Sequence, residues 1–381
     1  MPFNYENIKT PCFVVEEKLL KKNLEILKYV MDETGCKILL AQKCFSMFYT
    51  YPLIGRYLSG TTASGLYEAK LGKEYMGGET HIYSAAYRDD EIDDILEICD
   101  HIVFNSFSQW KKYKEKAILS GKECGLRINP ECSTQDGHEI YDPCSKYSRM
   151  GITISNFEEN IDGISGLHFH TLCEQNSDDL KITLAAVEEK FGSYLHKMKW
   201  INFGGGHHIT REDYDLNTLI DCIKYIKETH GVQVYLEPGE AVALNAGFLV
   251  SEVLDIVRND MDIAIMDTSA ACHMPDVLEM PYTPEIFSVN IKDDNKIYSE
   301  KQYIYRLAGP TCLAGDVIGD YVFEKPLKPG DRVKFCDMAI YSMVKTNTFN
   351  GMKLPSIAYK NENGIEIIKE FGYKDFTGRL S

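Results

Sequence analysis

A lysine at the end of an apolar run, a triple glycine, two histidines two residues apart and a Glu-Pro-Gly-Glu turn are the stretches whose residue types could do chemistry. Lys43 follows Ile38-Leu39-Leu40-Ala41, a run without polar alternation that reads as a strand buried on both faces, as in a parallel sheet. In a β/α barrel the C-terminal strand ends collect the chemistry. A lysine amine there can form a Schiff base with an aldehyde cofactor, and burial would lower its pKa and free its lone pair. Taken alone, a solvated lysine ending a strand is the simpler reading, because lysine is almost never fully buried. Gly204-Gly205-Gly206 follows the strand-like Trp200-Ile201-Asn202-Phe203. Three glycines let backbone N–H groups approach an anion such as a phosphate, or make a plain tight turn. His168 and His170 share one face of a strand. They read as a metal pair lacking an obvious third ligand, as an imidazole stacked on a planar cofactor, or as polar residues at a strand end. Glu237-Pro238-Gly239-Glu240 ends a strand with two carboxylates. A carboxylate against a pyridine nitrogen keeps it protonated and makes the ring an electron sink; a charged surface turn has the same spelling. Gly309-Pro310-Thr311-Cys312-Leu313-Ala314-Gly315-Asp316 offers a thiol and a carboxylate around a glycine-rich loop, and Met338-Ala339-Ile340-Tyr341 is weak alone.

The elements that must position these residues alternate between strand and helix. Thr10–Val15 reads as a strand after a turn, and Glu16–Met31 as a helix with Leu19, Leu20, Leu24, Leu27 and Val30 at helical spacing. After the Lys43 strand, Gly60–Ser64 leads into a helix containing Glu68. Strands are expected at 81–84, 101–105, 125–129, 163–170, 200–203 and 232–237. The helices between them are expected at 89–99, 108–120, 179–191 and 216–230, with a long polar loop at 130–147. Such alternation over about 230 residues argues for an α/β protein built on a (β/α)8 TIM-like barrel; a doubly wound open sheet is the alternative, since periodicity cannot count closure. From about Ala241 the pattern becomes strand-like at 248–254, 262–266, 295–298 and 332–335, without long helical patterns. The expected organisation is a barrel over 12–243, with 1–11 and 244–381 forming a mostly β domain.

Composition narrows the function classes. The 381 residues, 44% of them hydrophobic, suffice for two domains with full cores. No window of about 20 apolar residues offers a transmembrane helix, and the opening Met1–Asn7 lacks the basic and apolar regions of a signal peptide. Twelve cysteines without CxxC pairs argue against zinc and fit free thiols in a reducing cytosol. A formal charge of −16 speaks against a nucleic-acid partner and suits solubility and a cationic substrate.

Taken together and in this order, these stretches resemble the fold-type III, alanine-racemase-like, pyridoxal-phosphate decarboxylases, from about Thr10 to Phe349. Ala41-Gln42-Lys43-Cys44-Phe45, Glu237–Ala241, Asp267–Tyr282 and Gly309–Asp316 are worded most like the carboxynorspermidine/carboxyspermidine branch of that family; the long 267–282 stretch is the most specific. The resemblance implies that Lys43 carries pyridoxal 5'-phosphate, that His170 stacks on its ring and that Glu237 pairs with the ring nitrogen. It further implies that Gly204, Gly205 and Gly206 cradle the phosphate with a hydroxyl from Tyr341, and that Ser64 and Glu68 lie beside the cofactor. Family members are homodimers with shared sites, which would send Cys312, a candidate proton donor, and Asp316 into the partner's active site. Two positions depart from the better-known members. They read Glu-Pro-Gly-Arg where this chain has Glu240, and His-x-Gly-Ser where it has His170-Thr171-Leu172-Cys173. An acid near a phosphate is unfavourable unless it faces a cation, so Glu240 and Asp276 are assigned to ammonium groups of a polyamine substrate. The implied reaction is decarboxylation in polyamine biosynthesis, in the cytoplasm and without metal, membrane or nucleic acid. The rivals are a diaminopimelate decarboxylase, an amino-acid racemase and a non-catalytic binding homologue.

Overall fold

The structure, a computed structural model, describes residues 5, 8–135, 139–293, 295–296, 298–299 and 301–381. The chain divides into two compact units, one of residues 22–242 and one of residues up to 21 with 243–381.

In the first unit eight strands close a parallel barrel. Strand β1 (Cys12–Glu16) precedes it in sequence. The barrel strands are β2 (Lys37–Ala41), β3 (Gly60–Ala63), β4 (Glu79–Tyr83), β5 (His101–Phe104), β6 (Glu123–Arg127), β7 (Gly166–His168), β8 (Trp200–Asn202) and β9 (Gln233–Leu236). Pairing of β2 with β9, Lys37 opposite Tyr235, closes the ring and excludes the open sheet. Ile38, Leu39 and Leu40 are fully buried, as an apolar run without alternation requires. The helices between strands bury one face each; Leu24, Leu27 and Val30 of the helix Glu17–Thr34 are fully buried. The stretch 60–63, expected only to lead into a helix, is itself a strand: Gly60, Thr61 and Thr62 give no apolar run, yet all are buried and paired to β2 and β4.

The barrel interior is filled by side chains two residues apart on each strand. Trp200 occupies much of its N-terminal half, packed with Leu39, Val103 and Tyr235. Room for the indole comes from Gly125 and Gly166, where a Cβ would lie 2.3 and 2.0 Å from the Trp200 ring. Below it, the His81 and His101 rings stack at 3.9 Å, and His81 Nε2 lies 3.0 Å from Glu79 Oε2. Lys37 pairs with the other oxygen of Glu79 and donates to the Tyr235 hydroxyl at 3.3 Å. Burial opposes ionisation of Glu79, but His81 and Lys37 hold its carboxyl down at about 2. Burial and the neighbouring His81 push His101 down to about 3.

The second unit is a nine-stranded sheet among the described residues. Its strands are β1, β10 (Gly247–Asn259), β11 (Met261–Met266), β12 (Asn290–Ile291), β13 (Tyr303–Ala308), β14 (Val317–Phe323), β15 (Arg332–Phe335), β16 (Ser356–Asn361) and β17 (Gly364–Lys369). The order is β12-β14-β13-β11-β10-β1-β16-β17, with β15 on β10. Its core is built from Phe13, Leu249, Met266, Leu307, Tyr321 and Phe335. β1 pairs antiparallel with β10 and parallel with β16. The strand at 12–16, which the sequence reading put at the start of the barrel, therefore stands in this sheet, and the division falls inside the helix that follows. A buried strand feeding a helix has the same spelling in either place. The strand expected at 295–298 falls partly outside the described residues, as do parts of 1–11 and of the 130–147 loop. β13, β14, β16 and β17 lie outside the strand-like stretches expected from the sequence. Among the described residues no helix is long and apolar enough to cross a membrane.

Candidate active site

The barrel's candidate residues all lie at or just past the C-terminal ends of their strands: Lys43 after β2, Ser64 after β3, His170 after β7, Gly204 after β8 and Glu237 after β9. The turn that bears Lys43 is pinned by Gln42. This buried amide donates to the Glu68 carbonyl at 2.8 Å and accepts from the Tyr51 hydroxyl at 3.0 Å. Gly239 closes against the same turn, where a Cβ would lie 2.4 Å from that of Cys44. Lys43 is exposed and makes no ion pair among the described residues. Its charge lies close enough to lower the pKa of both Glu68 and His170. Glu68 accepts the Ser64 N–H at 2.6 Å, and burial raises its carboxyl in spite of that bond.

Glu237 is 7% exposed. Its Oε1 accepts from Asn202 Nδ2 at 2.7 Å, and its Oε2 lies 3.2 Å from His168 Nε2. Burial alone would raise this carboxyl; His168 and Asn202 bring it down to about 2. Burial simultaneously lowers His168. Glu237 is therefore held ionised by its pairing with His168 and by the Asn202 amide, with no lysine or arginine ion-paired to it among the described residues. His168 thus supports a carboxylate, and the metal-pair reading of His168 and His170 fails, because Nδ1 of His170 is taken by the Gly205 N–H at 3.2 Å. That bond fixes Nδ1 as an acceptor, and burial followed by the charges of Lys43 and Arg127 pushes His170 well below 6.5. Arg127, buried over the Tyr83 ring at 4.5 Å, donates to the His170 carbonyl at 3.1 Å and fixes its backbone.

The glycine turn is required by its own packing. Gly204 and Gly206 have φ of +70° and +81°. A Cβ on Gly204 would lie 2.4 Å from the Phe169 carbonyl oxygen, and one on Gly206 1.9 Å from that of Leu172. The N–H of Gly204 is given to Asn202 Oδ1 at 2.8 Å and that of Gly205 to His170. Of the three N–H groups expected to cradle a phosphate, two are therefore committed within the chain, which leaves Gly206.

Glu240 opens the short helix Glu240–Ala243 and lies 2.9 Å from His208 Nε2. A second acid, Glu174, sits close enough that burial and Glu240 together raise its pKa. Sequence reasoning missed Glu174, Gln42, Asn202, His208 and Arg127. The period-2 alternation that places His170 and Gly204 could have found Asn202.

In the second unit, Asp276 is ion-paired with Lys345, which also reaches Glu279 at 2.6 Å. Cys312 is exposed, and its N–H donates to Asn350 Oδ1 at 2.7 Å. Asp316 departs from the outward-reaching carboxylate that was expected. It is 2% exposed and accepts from Thr311 Oγ1 at 2.6 Å, Ser269 Oγ at 2.8 Å and the Ala271 N–H at 3.2 Å. Gly309 makes this possible, since a Cβ there would lie 2.2 Å from the carboxylate. Tyr341 has φ +53°, ψ −41°, a conformation that costs about 1–3 kcal/mol and tends to mark functional positions.

Pyridoxal phosphate presents an aldehyde, a basic ring nitrogen and a phosphate. The barrel residues fit it: an amine at a strand end, an interior carboxylate held ionised by His168 and Asn202 with no lysine or arginine paired to it among the described residues, and a glycine turn with one uncommitted donor of the three. The chemistry such a set supports is cleavage of a bond at an amino-acid α-carbon.

Comparison with known proteins gives a consistent picture. The family described as pyridoxal-dependent decarboxylase, C-terminal sheet domain, matches residues 26–339. The carboxynorspermidine/carboxyspermidine decarboxylase of Campylobacter jejuni is 47% identical over 98% of this chain and 99% of its own. The carboxyaminopropylagmatine decarboxylase of a Synechocystis species is 40% identical over 98% of this chain and 96% of its own. The crystal structure of the Campylobacter jejuni carboxynorspermidine decarboxylase complexed with norspermidine superposes with a TM-score of 0.92 at 45% identity, covering 98% of this chain and 100% of that one.

Proposed function

The chain belongs to the pyridoxal-dependent decarboxylases, and from that premise we propose that it removes the α-carboxylate of carboxynorspermidine or carboxyspermidine as CO2, leaving norspermidine or spermidine. When bound, pyridoxal phosphate supplies the sink for the electron pair that CO2 leaves behind. Lys43 would hold the cofactor through its amine and yield its place to the substrate's α-amine. Glu237 would hold a proton at the ring nitrogen; His168 and Asn202 keep it charged for that purpose. His170, with Nδ1 fixed by Gly205, presents its ring to one face and excludes water there. Ser64 and Glu68 line the same strand ends. The Gly206 N–H and the Tyr341 hydroxyl are the candidates for the phosphate. Cys312 is the candidate for returning a proton to the substrate's α-carbon. Asp316 orients the loop that carries Cys312 by binding Ser269 and Thr311. We also propose a cytoplasmic homodimer with shared active sites, in which the Cys312 loop serves the other copy.

The observation that carries the substrate assignment is the acid at position 240. Paired with His208 and set beside Glu174, it makes an acidic lining that suits an ammonium group. Asp276 is the second such candidate, on condition that Lys345 yields it. Glu240→Gln should raise KM with kcat little changed, by roughly 30-fold or more, since loss of one partner of a buried charge pair costs about 2–5 kcal/mol; an unchanged KM removes the assignment. The wider test is CO2 release from carboxynorspermidine, carboxyspermidine, carboxyaminopropylagmatine, diaminopimelate and ornithine. Turnover of the first two supports the reading. Turnover confined to carboxyaminopropylagmatine or diaminopimelate reassigns the substrate and keeps Lys43, and silence across the panel favours a non-catalytic binding protein.

A further inference from the structure

Asn202 is fully buried on β8, and both ends of its amide are used. Nδ2 donates to Glu237 Oε1 at 2.7 Å, while Oδ1 accepts the Gly204 N–H at 2.8 Å. The Glu237 backbone N–H donates in turn to the Gly204 carbonyl at 2.8 Å. Side chain and main chain thus close a circuit between the carboxylate and the glycine turn. The next N–H of that turn, Gly205, holds His170 Nδ1. The carboxylate and the imidazole, two groups that would grip the cofactor ring, are therefore registered to one turn, and Asn202 is the side chain that links them. His168 holds the remaining carboxylate oxygen from β7.

We propose that Asn202 is a positioning residue that locks the Glu237 carboxylate to the glycine turn, so that the ring-nitrogen partner, the stacking histidine and the turn keep one geometry. The proposal rests on Glu237 being the ring-nitrogen partner. Asparagine suits the place because it offers a donor and an acceptor without charge. Aspartate has the same shape but loses the donor, and would set a second anion against Glu237. Two carboxylates at that spacing cannot both ionise, so one takes up a proton.

The test compares wild type, Asn202→Asp and Asn202→Ser, with Glu237→Gln as spectral blank and control. Infrared difference spectra of the apoenzymes across pH read the protonated carboxyl band directly. Steady-state decarboxylation and pyridoxal phosphate affinity are measured on the loaded enzymes. In wild type the buried carboxylate should stay ionised throughout the range in which the protein is folded. Asn202→Asp should show a protonated carboxyl at neutral pH and lose about 10- to 100-fold in kcat with KM within about twofold, with weaker cofactor binding. Asn202→Ser, which keeps a short donor and acceptor, should fall between the two. Wild-type kcat and no protonated band in Asn202→Asp, beside a crippled Glu237→Gln, overturns the proposal. An undiminished kcat in Glu237→Gln overturns instead the role given to Glu237, on which the proposal stands. If Asn202→Asp does not fold, the wild-type titration decides alone: a Glu237 band that protonates above about pH 4, the ordinary glutamate range, refutes the lock.

Discussion

At the N-terminal end of the barrel Lys37, Glu79, His81, His101 and Tyr235 bond, stack and neutralise one another within the chain. At the C-terminal end neither Lys43 nor Glu237 is ion-paired with an opposite lysine, arginine or carboxylate among the described residues, and Glu237 is bonded to Asn202 and His168. Lysine, glutamate and histidine appear at both ends. What separates them is where the counter-charge comes from. An anion matched by its own lysine has nothing left to offer, and the group is structural. An anion that no lysine or arginine of the chain pairs with is poised for a cation from outside, which in the proposed reading is a protonated ring nitrogen. Residue type alone cannot tell the two situations apart; the bonding inventory can.

Exchanging single residues at the two ends tests that contrast, beginning with the largest effect. Lys43→Ala should lower kcat by about 10⁴-fold or more with stability unchanged, while Lys37→Met should leave kcat within about twofold and lower stability by about 1 kcal/mol, the worth of a half-exposed pair. Steady-state rates and urea melts on both variants decide it, and a stable Lys37→Met enzyme without activity breaks the contrast.

Acid should act on the N-terminal end next. His101 moves from 6.5 to about 3 on folding, so the folded chain keeps it neutral. Its stabilisation is complete above pH 6.5 and disappears as pH falls toward 3, at most about 5 kcal/mol. Glu79, held at about 2 against 4.5, loses its share in the lower window from about pH 4.5 to 2. His207, beside the glycine turn at the C-terminal end and lowered to about 4 by burial, adds to the same fall, so the difference made by His101→Gln isolates the N-terminal share. Denaturant melts between pH 7.5 and 4 should show stability falling through the upper window, with a shallower fall in His101→Gln; parallel curves would place the acid sensitivity elsewhere. The smallest effect is steric. Gly166→Ala drives a methyl into the Trp200 ring and should cost about 1–3 kcal/mol with KM unchanged, so a neutral result in urea melts would mean that the interior is less tightly filled than its packing indicates.

These contrasts also explain what could be read beforehand. β2 and β5 were legible because Ile38-Leu39-Leu40 and Ile102-Val103-Phe104 are uninterrupted apolar runs. β3 was not, because Gly60-Thr61-Thr62 owes its burial to neighbours on both sides rather than to its own hydrophobicity. Closure was out of reach, since it depends on Lys37 meeting Tyr235 across 198 positions. Lys43, His170 and Glu237 were found through the wording of their surroundings. The commitments that change their meaning were not: Lys345 on Asp276 lies 69 residues away, and the Asn202 amide looks like any polar residue in a three-residue strand. Asp316 was expected to reach into a partner's active site because the family resemblance implied shared sites. Here glycine at 309 instead lets the carboxylate turn in.

The central place of β1 in the second sheet has a consequence for biosynthesis. Cys12–Val15 bonds to 247–250 on one side and to 356–359 on the other. A nascent chain therefore carries this strand for more than two hundred residues before its first neighbour is made, and about a hundred more before its second. The whole barrel segment, whose strand pairs link near neighbours in sequence apart from the closing one, is translated in the interval, and domains commonly fold as units during synthesis. The barrel is thus expected to fold first, with an apolar strand at its head still lacking both neighbours. Such an edge invites the wrong partner. Chaperone demand during synthesis should accordingly peak before residue 250 leaves the exit tunnel, and ease once β10 docks.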